Sequence, residues 1–177
     1  MTESLLPMLT LGSGVLLPGF TSPLILETDA ARAAIATAAF TACLASTDVH
    51  EYGKLVVESL LRTLDVSLVD AGVSIDPEVL AERARAAQAD FIAISTYNGV
   101  ALDFVKRLMS ALTDAGLTLP VFIGGKLNQV PEVSNTSLPV DVSTELERAG
   151  ALPCQSISEF LSRLAALAHT ARGTGTV

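Results

Sequence analysis

The stretch from Ser46 to Lys54 reads STDVHEYGK. It sets Asp48 two residues before His50 and Gly53 three residues after it, and His50 is one of only two histidines in the chain. A neutral imidazole binds a transition metal through one ring nitrogen. The other nitrogen then carries the proton, and a nearby carboxylate fixes that tautomer and raises the basicity of the ligand. Asp48 lies in the same loop and suits that role. Gly53 lets backbone come close to something bulky and flat, and lets a helix start there. Two further stretches carry polar groups and glycines. Ser95-Thr96-Tyr97-Asn98-Gly99 offers hydroxyls, and Gly124-Gly125-Lys126 leaves room beside a strand end for a long, thin ligand.

These residues need elements to position them. Ala38–Ala45 reads as a buried strand, although its alanines also allow a helix. Gly53–Leu64 has helical apolar spacing. Asp65–Asp70 alternates and is β-branched, which predicts a strand. After it, Asp76 is a candidate N-cap, Pro77 suits the first helical position and Glu78 the positive end of the dipole. Asp90–Ser95 and Leu119–Ile123 are continuous apolar runs, hence central strands. A helix between them ends at Gly116. A short helix at STELERAG, a short strand at ALPC and a final helix from SISEF complete the pattern. Apolar strands alternating with helices mean a parallel sheet covered on both faces. Right-handed crossovers then give an open, doubly wound α/β sheet; we expect the flavodoxin-like order 2-1-3-4-5 for its five parallel strands. In such sheets ligands sit at the carboxyl ends of the strands, where all three polar stretches fall.

Composition narrows the rest. The 177 residues suit one domain, and half of them are hydrophobic, enough for a sizeable core. The net charge of −8 argues against a nucleic-acid backbone as partner. Cys43 and Cys154 lie far apart in apolar runs and read as buried thiols of a reducing compartment, not as a zinc site. The apolar N-terminus lacks a basic start and is broken by Pro7, Gly12, Gly14, Pro18 and Gly19, so neither a signal peptide nor a membrane helix is expected, and a cytoplasmic location is. We expect an extended arm over residues 1–37, the α/β domain over 38–170 and a disordered tail over 171–177. The arm could pack on the domain or on a partner subunit. His169, near the end of the last helix, reads as a solvated residue at the negative end of the dipole.

Asp48-x-His50-x-x-Gly53 after the first strand, Ser95-Thr96-Tyr97 after the third and Gly124-Gly125 after the fourth together resemble the cobalamin-binding domain of adenosylcobalamin-dependent mutases and corrinoid methyltransferases. The resemblance spans residues 38–168, and its nearest likeness is the small cobalamin-binding subunit of mutases such as glutamate mutase. It implies that His50 replaces the cofactor's own base as lower axial cobalt ligand, with Asp48 bonded to the far side of its ring. Val49, Glu51, Tyr52 and Gly53 would lie against the corrin. Lys54 could pair with Asp48. Ser95, Thr96 and Tyr97 would line a pocket for the nucleotide tail, flanked by Gly124, Gly125 and Lys126. Tyr97 stands where this family usually has leucine. LPCQS lacks the glycines that many members carry after the last strand.

A mutase places its substrate in a separate barrel domain. The resemblance therefore implies an adenosylcobalamin-carrying subunit that acts with a larger barrel-type subunit and is inactive alone; a homodimer is a further option. In that setting cobalt–carbon homolysis starts a radical rearrangement of the substrate's carbon skeleton, and the protein binds, orients and tunes the cofactor. Rival readings are a corrinoid carrier for methyl transfer, a non-catalytic cobalamin sensor, storage or delivery protein, and a flavodoxin-like module for another ligand. No hydrolase triad, phosphate loop or GxGxxG motif competes with them.

Overall fold

A computed structural model describes residues 29–130 and 138–173. The elements run α1 (Asp29–Ala38), β1 (Thr41–Ser46), α2 (Tyr52–Thr63), β2 (Ser67–Gly72), α3 (Pro77–Ala86), β3 (Phe91–Thr96), α4 (Ala101–Asp114), β4 (Val121–Gly125), β5 (Asn128–Gln129), β6 (Val140–Asp141), α5 (Ser143–Arg148), β7 (Leu152–Cys154) and α6 (Ile157–Gly173). Five strands form one parallel sheet in the order β2-β1-β3-β4-β7. This is the expected doubly wound order. The fifth strand is numbered seventh because β5 and β6 form a separate two-stranded antiparallel ribbon. Sequence reading missed that ribbon.

Each strand alternates its side chains between two cores. Cys43, Ala45, Ile92, Ile94 and Ile123 pack with residues of α3, α4 and α5. Ala42, Leu44, Phe91, Ala93 and Phe122 pack with residues of α1, α2 and α6. Both faces are therefore apolar, and the strands read as continuous hydrophobic runs. On the second face Phe40, Phe91, Phe122 and Phe160 form a chain of edge-to-face contacts, with ring centroids 5.7, 5.5 and 5.3 Å apart. Edge-to-face pairs add about 0.5–1.5 kcal/mol each beyond their buried area.

Three expectations change at the edges of the elements. Residues 29–37 were expected to be extended but belong to α1. DAARAAIATA is rich in the best helix former, and Ala34 and Ile35 bury one face of the helix. That helix also takes Ala38, so β1 starts at Thr41, after a turn through Ala39 at φ +52°. At the other end α6 continues to Gly173, into the segment expected as a tail from residue 171. The rest of the expected arm (1–28) and tail (174–177) lies outside the described residues. Asp76 takes the N-cap position of α3 in extended conformation with Pro77 following, but its side chain makes no capping hydrogen bond. No helix of the described residues is long and apolar enough to cross a membrane.

Candidate functional site

The site is built where β1 and β3, neighbours in the sheet, send their chains to opposite faces. Thr47 N–H donates to Ser95 O at 3.0 Å, so the loop after β1 leaves the sheet still tied to β3. The next residue, Asp48, is buried, and donors converge on its carboxylate. Oδ1 accepts from His50 N–H at 2.9 Å and lies 2.6 Å from His50 Nδ1. Oδ2 accepts from Tyr97 N–H at 2.9 Å and from the Thr47 hydroxyl at 3.2 Å. The Thr47 hydroxyl also lies 2.9 Å from Thr96 Oγ1, which continues the network to β3. Burial alone would raise the pKa of Asp48, but the hydrogen bonds from His50, Tyr97 and Thr47 more than offset it, and the carboxyl is held below its ordinary value. Asp48 is thus an anion, and an anion 2.6 Å from Nδ1 keeps a proton there. The lone pair of the neutral ring then lies on Nε2, on a side chain that remains 55 % exposed.

Two other side chains gather around this pair. The Tyr97 ring packs on the His50 ring at 4.6 Å between centroids, tilted by 39°. The Lys126 ammonium sits 3.9 Å from the centroid of the same tyrosine. Val49 and Tyr52 are both exposed on this end of the sheet, 70 % and 71 %. Glu51 is exposed as well. Lys54 does not pair with Asp48. It is buried on the first turn of α2, facing β2, and its ammonium reaches both carboxylate oxygens of Asp70 at 2.6 and 2.7 Å. All the acceptor capacity that Asp48 shows is already taken by Thr47, His50 and Tyr97.

Beside the Asp48–His50 loop a cavity of about 290 Å³ opens between α2 and α6, over β3 and β4. Gly53, Ser95, Gly124 and Gly125 line it, as does Tyr52. The glycines are there for space. A Cβ on Gly53 would collide with Ser95 Oγ. One on Gly124 would come within 3.3 Å of Cys154 O, and one on Gly125 would run into the Thr96 carbonyl, at a φ of +109°. Thr96 and Tyr97 are not among the walls of the cavity. Ser95 shares the face of Phe91 and Ala93, where the cavity lies, whereas the next residue, Thr96, points to the other face. Thr96 therefore serves the Asp48 network, not the cavity. Sequence reading missed Val57, Phe122 and Phe160, which give the cavity apolar walls, and Gln155 and Ser156, which add polar groups after β7. Their position after the fifth strand was the available signal.

The B12 binding domain family model matches residues 40–143, more than half of the chain. The chain belongs to the B12-binding domain family. Solved structures support the fold. A cobalamin-binding protein from Desulfitobacterium hafniense is 20% identical with a TM-score of 0.57, the alignment covering 73% of this chain and 58% of that one. The methanol:cobalamin methyltransferase complex of Methanosarcina barkeri is 18% identical with a TM-score of 0.55, covering 78% and 48%. The monomethylamine corrinoid protein of the same organism is 20% identical with a TM-score of 0.54, covering 74% and 58%. The chain spans about half to three-fifths of the length of these structures. Membership of the B12-binding family makes cobalamin the cofactor against which the site is to be judged.

Proposed function

We propose that this chain carries cobalamin with the cofactor's own base displaced, His50 on the lower face of the cobalt and the nucleotide tail in the cavity between α2 and α6. The observation that supports this most is the Asp48–His50 pair, which does not itself line that cavity but stands in the loop that leads into its wall at Tyr52 and Gly53. Asp48 leaves the ring one free nitrogen, the donor that a single axial bond requires. Gly53, Gly124 and Gly125 line the cavity without side chains, at positions where a Cβ would meet Ser95 Oγ, Cys154 O and the Thr96 carbonyl. The apolar walls from Val57, Phe122 and Phe160 suit a flat heterocycle, and Gln155 and Ser156 supply hydrogen-bonding groups beside it. Val49, Glu51, Tyr52, Tyr97 and Lys126 would face the corrin. The residues present therefore fit the cofactor.

Bound cobalamin would supply organometallic chemistry at cobalt; the chain's own residues bind it, orient it and tune the axial nitrogen. The first reading of that chemistry is a carbon-skeleton mutase: adenosylcobalamin as cofactor, a larger barrel-type subunit as partner, and no activity of this chain alone. It rests on the resemblance of the Asp48-x-His50-x-x-Gly53, Ser95 and Gly124-Gly125 motifs. The second reading is a corrinoid carrier for methyl transfer, supported by the likeness to the methanol:cobalamin methyltransferase complex and to the monomethylamine corrinoid protein of Methanosarcina barkeri.

Electron paramagnetic resonance of the protein loaded with cob(II)alamin tests the shared core of both readings. Protein grown with 15N-histidine should convert the three-line splitting from a 14N axial ligand to a two-line splitting, and His50→Ala should abolish the change. An identical spectrum with and without label would refute histidine ligation. Cobinamide, which lacks the nucleotide, should bind more weakly than cobalamin if the cavity holds the tail. Reconstitution with candidate catalytic subunits of the two kinds then separates the readings by product: a rearranged carbon skeleton or a methylated acceptor.

A further inference from the structure

The geometry points to Tyr97 as the positioning residue for the His50 ring, a role that rests on the proposed ligation but is carried by separate contacts. The Asp48–Nδ1 hydrogen bond fixes one atom of the imidazole and one axis through it. It does not fix the plane of the ring, which can still turn about that axis. His50 is more than half exposed, so the packed core does not hold the plane either. Among the described residues, the one aromatic ring packed on His50 is Tyr97, at 4.6 Å and 39°. Tyr97 is itself held at two further points. Its N–H donates to Asp48 Oδ2 at 2.9 Å, and its ring lies under the Lys126 ammonium at 3.9 Å. One residue thus touches both members of the pair: its backbone holds the carboxylate and its side chain walls the imidazole.

The two contacts separate cleanly by mutation. Any residue but proline at position 97 keeps the backbone N–H; only an aromatic one keeps the wall. Leucine would leave the Asp48 network intact and remove the flat surface against the imidazole. Tyr97 is about half exposed, so Tyr97→Leu and Tyr97→Phe should both fold.

Two readouts test the role. In the cofactor-free protein, 13C relaxation of the His50 ring should show an ordered imidazole in wild type and in Tyr97→Phe, and a markedly freer one in Tyr97→Leu. In protein loaded with cob(II)alamin, the ratio of histidine-ligated to unligated signal, read from the 15N-dependent splitting, should fall about fivefold in Tyr97→Leu, the equivalent of losing one aromatic packing contact, and stay near wild type in Tyr97→Phe. Lys126→Met should move both readouts in the same direction by less. Equal ring order in Tyr97→Leu and wild type would overturn the proposal, as would a Tyr97→Phe variant that loses as much as Tyr97→Leu. If wild type shows no 15N-dependent splitting, the ligation reading fails, and the relaxation experiment still decides whether Tyr97 sets the ring.

Discussion

The pairing of Lys54 with Asp70 makes an asymmetric prediction. The two partners stand in different surroundings: the Lys54 side chain is 5 % exposed and the Asp70 side chain 53 %. Removing one member of an ion pair costs chiefly what the remaining charge suffers. Asp70→Ala leaves an ammonium buried on the first turn of α2, beside the cavity, with its carboxylate gone. Loss of a partner in a fully buried pair costs about 3–5 kcal/mol, and the flexible lysine stem brings this to about 3 kcal/mol. Lys54→Met keeps the apolar stem and leaves a carboxylate half in water, still accepting from Gly72 N–H at 2.7 Å. Its cost should be about 1 kcal/mol, near that of an exposed pair. Urea denaturation of the cofactor-free protein measures the difference, roughly 1 M in midpoint at ordinary slopes. The double variant should recover most of the loss of Asp70→Ala, because no buried charge remains. A Lys54→Met variant as damaged as Asp70→Ala would refute the reasoning. The sign with pH follows. Burial opposes ionisation of Asp70, but hydrogen bonds from Lys54 and Gly72 and the charges of Lys54 and Arg83 overcome it and hold the carboxyl below its ordinary value. Its contribution is therefore present above the unfolded value, about 3.9, and lost as pH falls through the lower folded value. Lys54→Met should show a shallower acid limb than wild type.

Three other outcomes are expected. Asp48→Asn turns at least one acceptor into a donor facing buried donors, and should cost about 2–3 kcal/mol by thermal or chemical denaturation; an unchanged midpoint would refute the network. Gly125→Ala should cost about 3 kcal/mol through its positive φ and the Thr96 carbonyl, and Gly124→Ala only about 1 kcal/mol, an order that denaturation curves of the two variants check. Burial pushes the Cys43 and Cys154 thiols up to about 11, so both should resist a thiol reagent at pH 8 until denaturant is added; rapid labelling of the folded protein would contradict this.

Sequence showed the sheet most clearly where side chains are buried on both faces. Residues 91–94 and 121–123 stand out because every position in them is buried. Handedness led to a doubly wound sheet, and the flavodoxin-like choice among such orders matches the one observed. The Asp48–His50 contact was legible because two residues of spacing in one loop leave little else for the pair to do. Lys54 shows the limit of that logic. Its neighbour in sequence was not its partner, because the helix turns it toward β2, and Asp70 lies sixteen positions on. Thr96 was misplaced by overlooking the two-residue period of its own strand. The β5–β6 ribbon has two residues per strand, too few for any period to show. α1 was hidden by alanines, which mark a helix and a buried strand alike.

The sheet also acts as a partition. The cavity indents only the layer of α1, α2 and α6, while the Asp48 network reaches Thr96, which points to the other layer. A ligand entering the cavity would press on one packed layer and find the second already set behind five hydrogen-bonded strands. Variation in the cavity layer can thus leave the Asp48 network, tied to Thr96 and Tyr97, in place. On the proposed reading, holding the nucleotide tail and orienting the imidazole would fall on opposite sides of one sheet, so substitutions in the two places should act nearly additively.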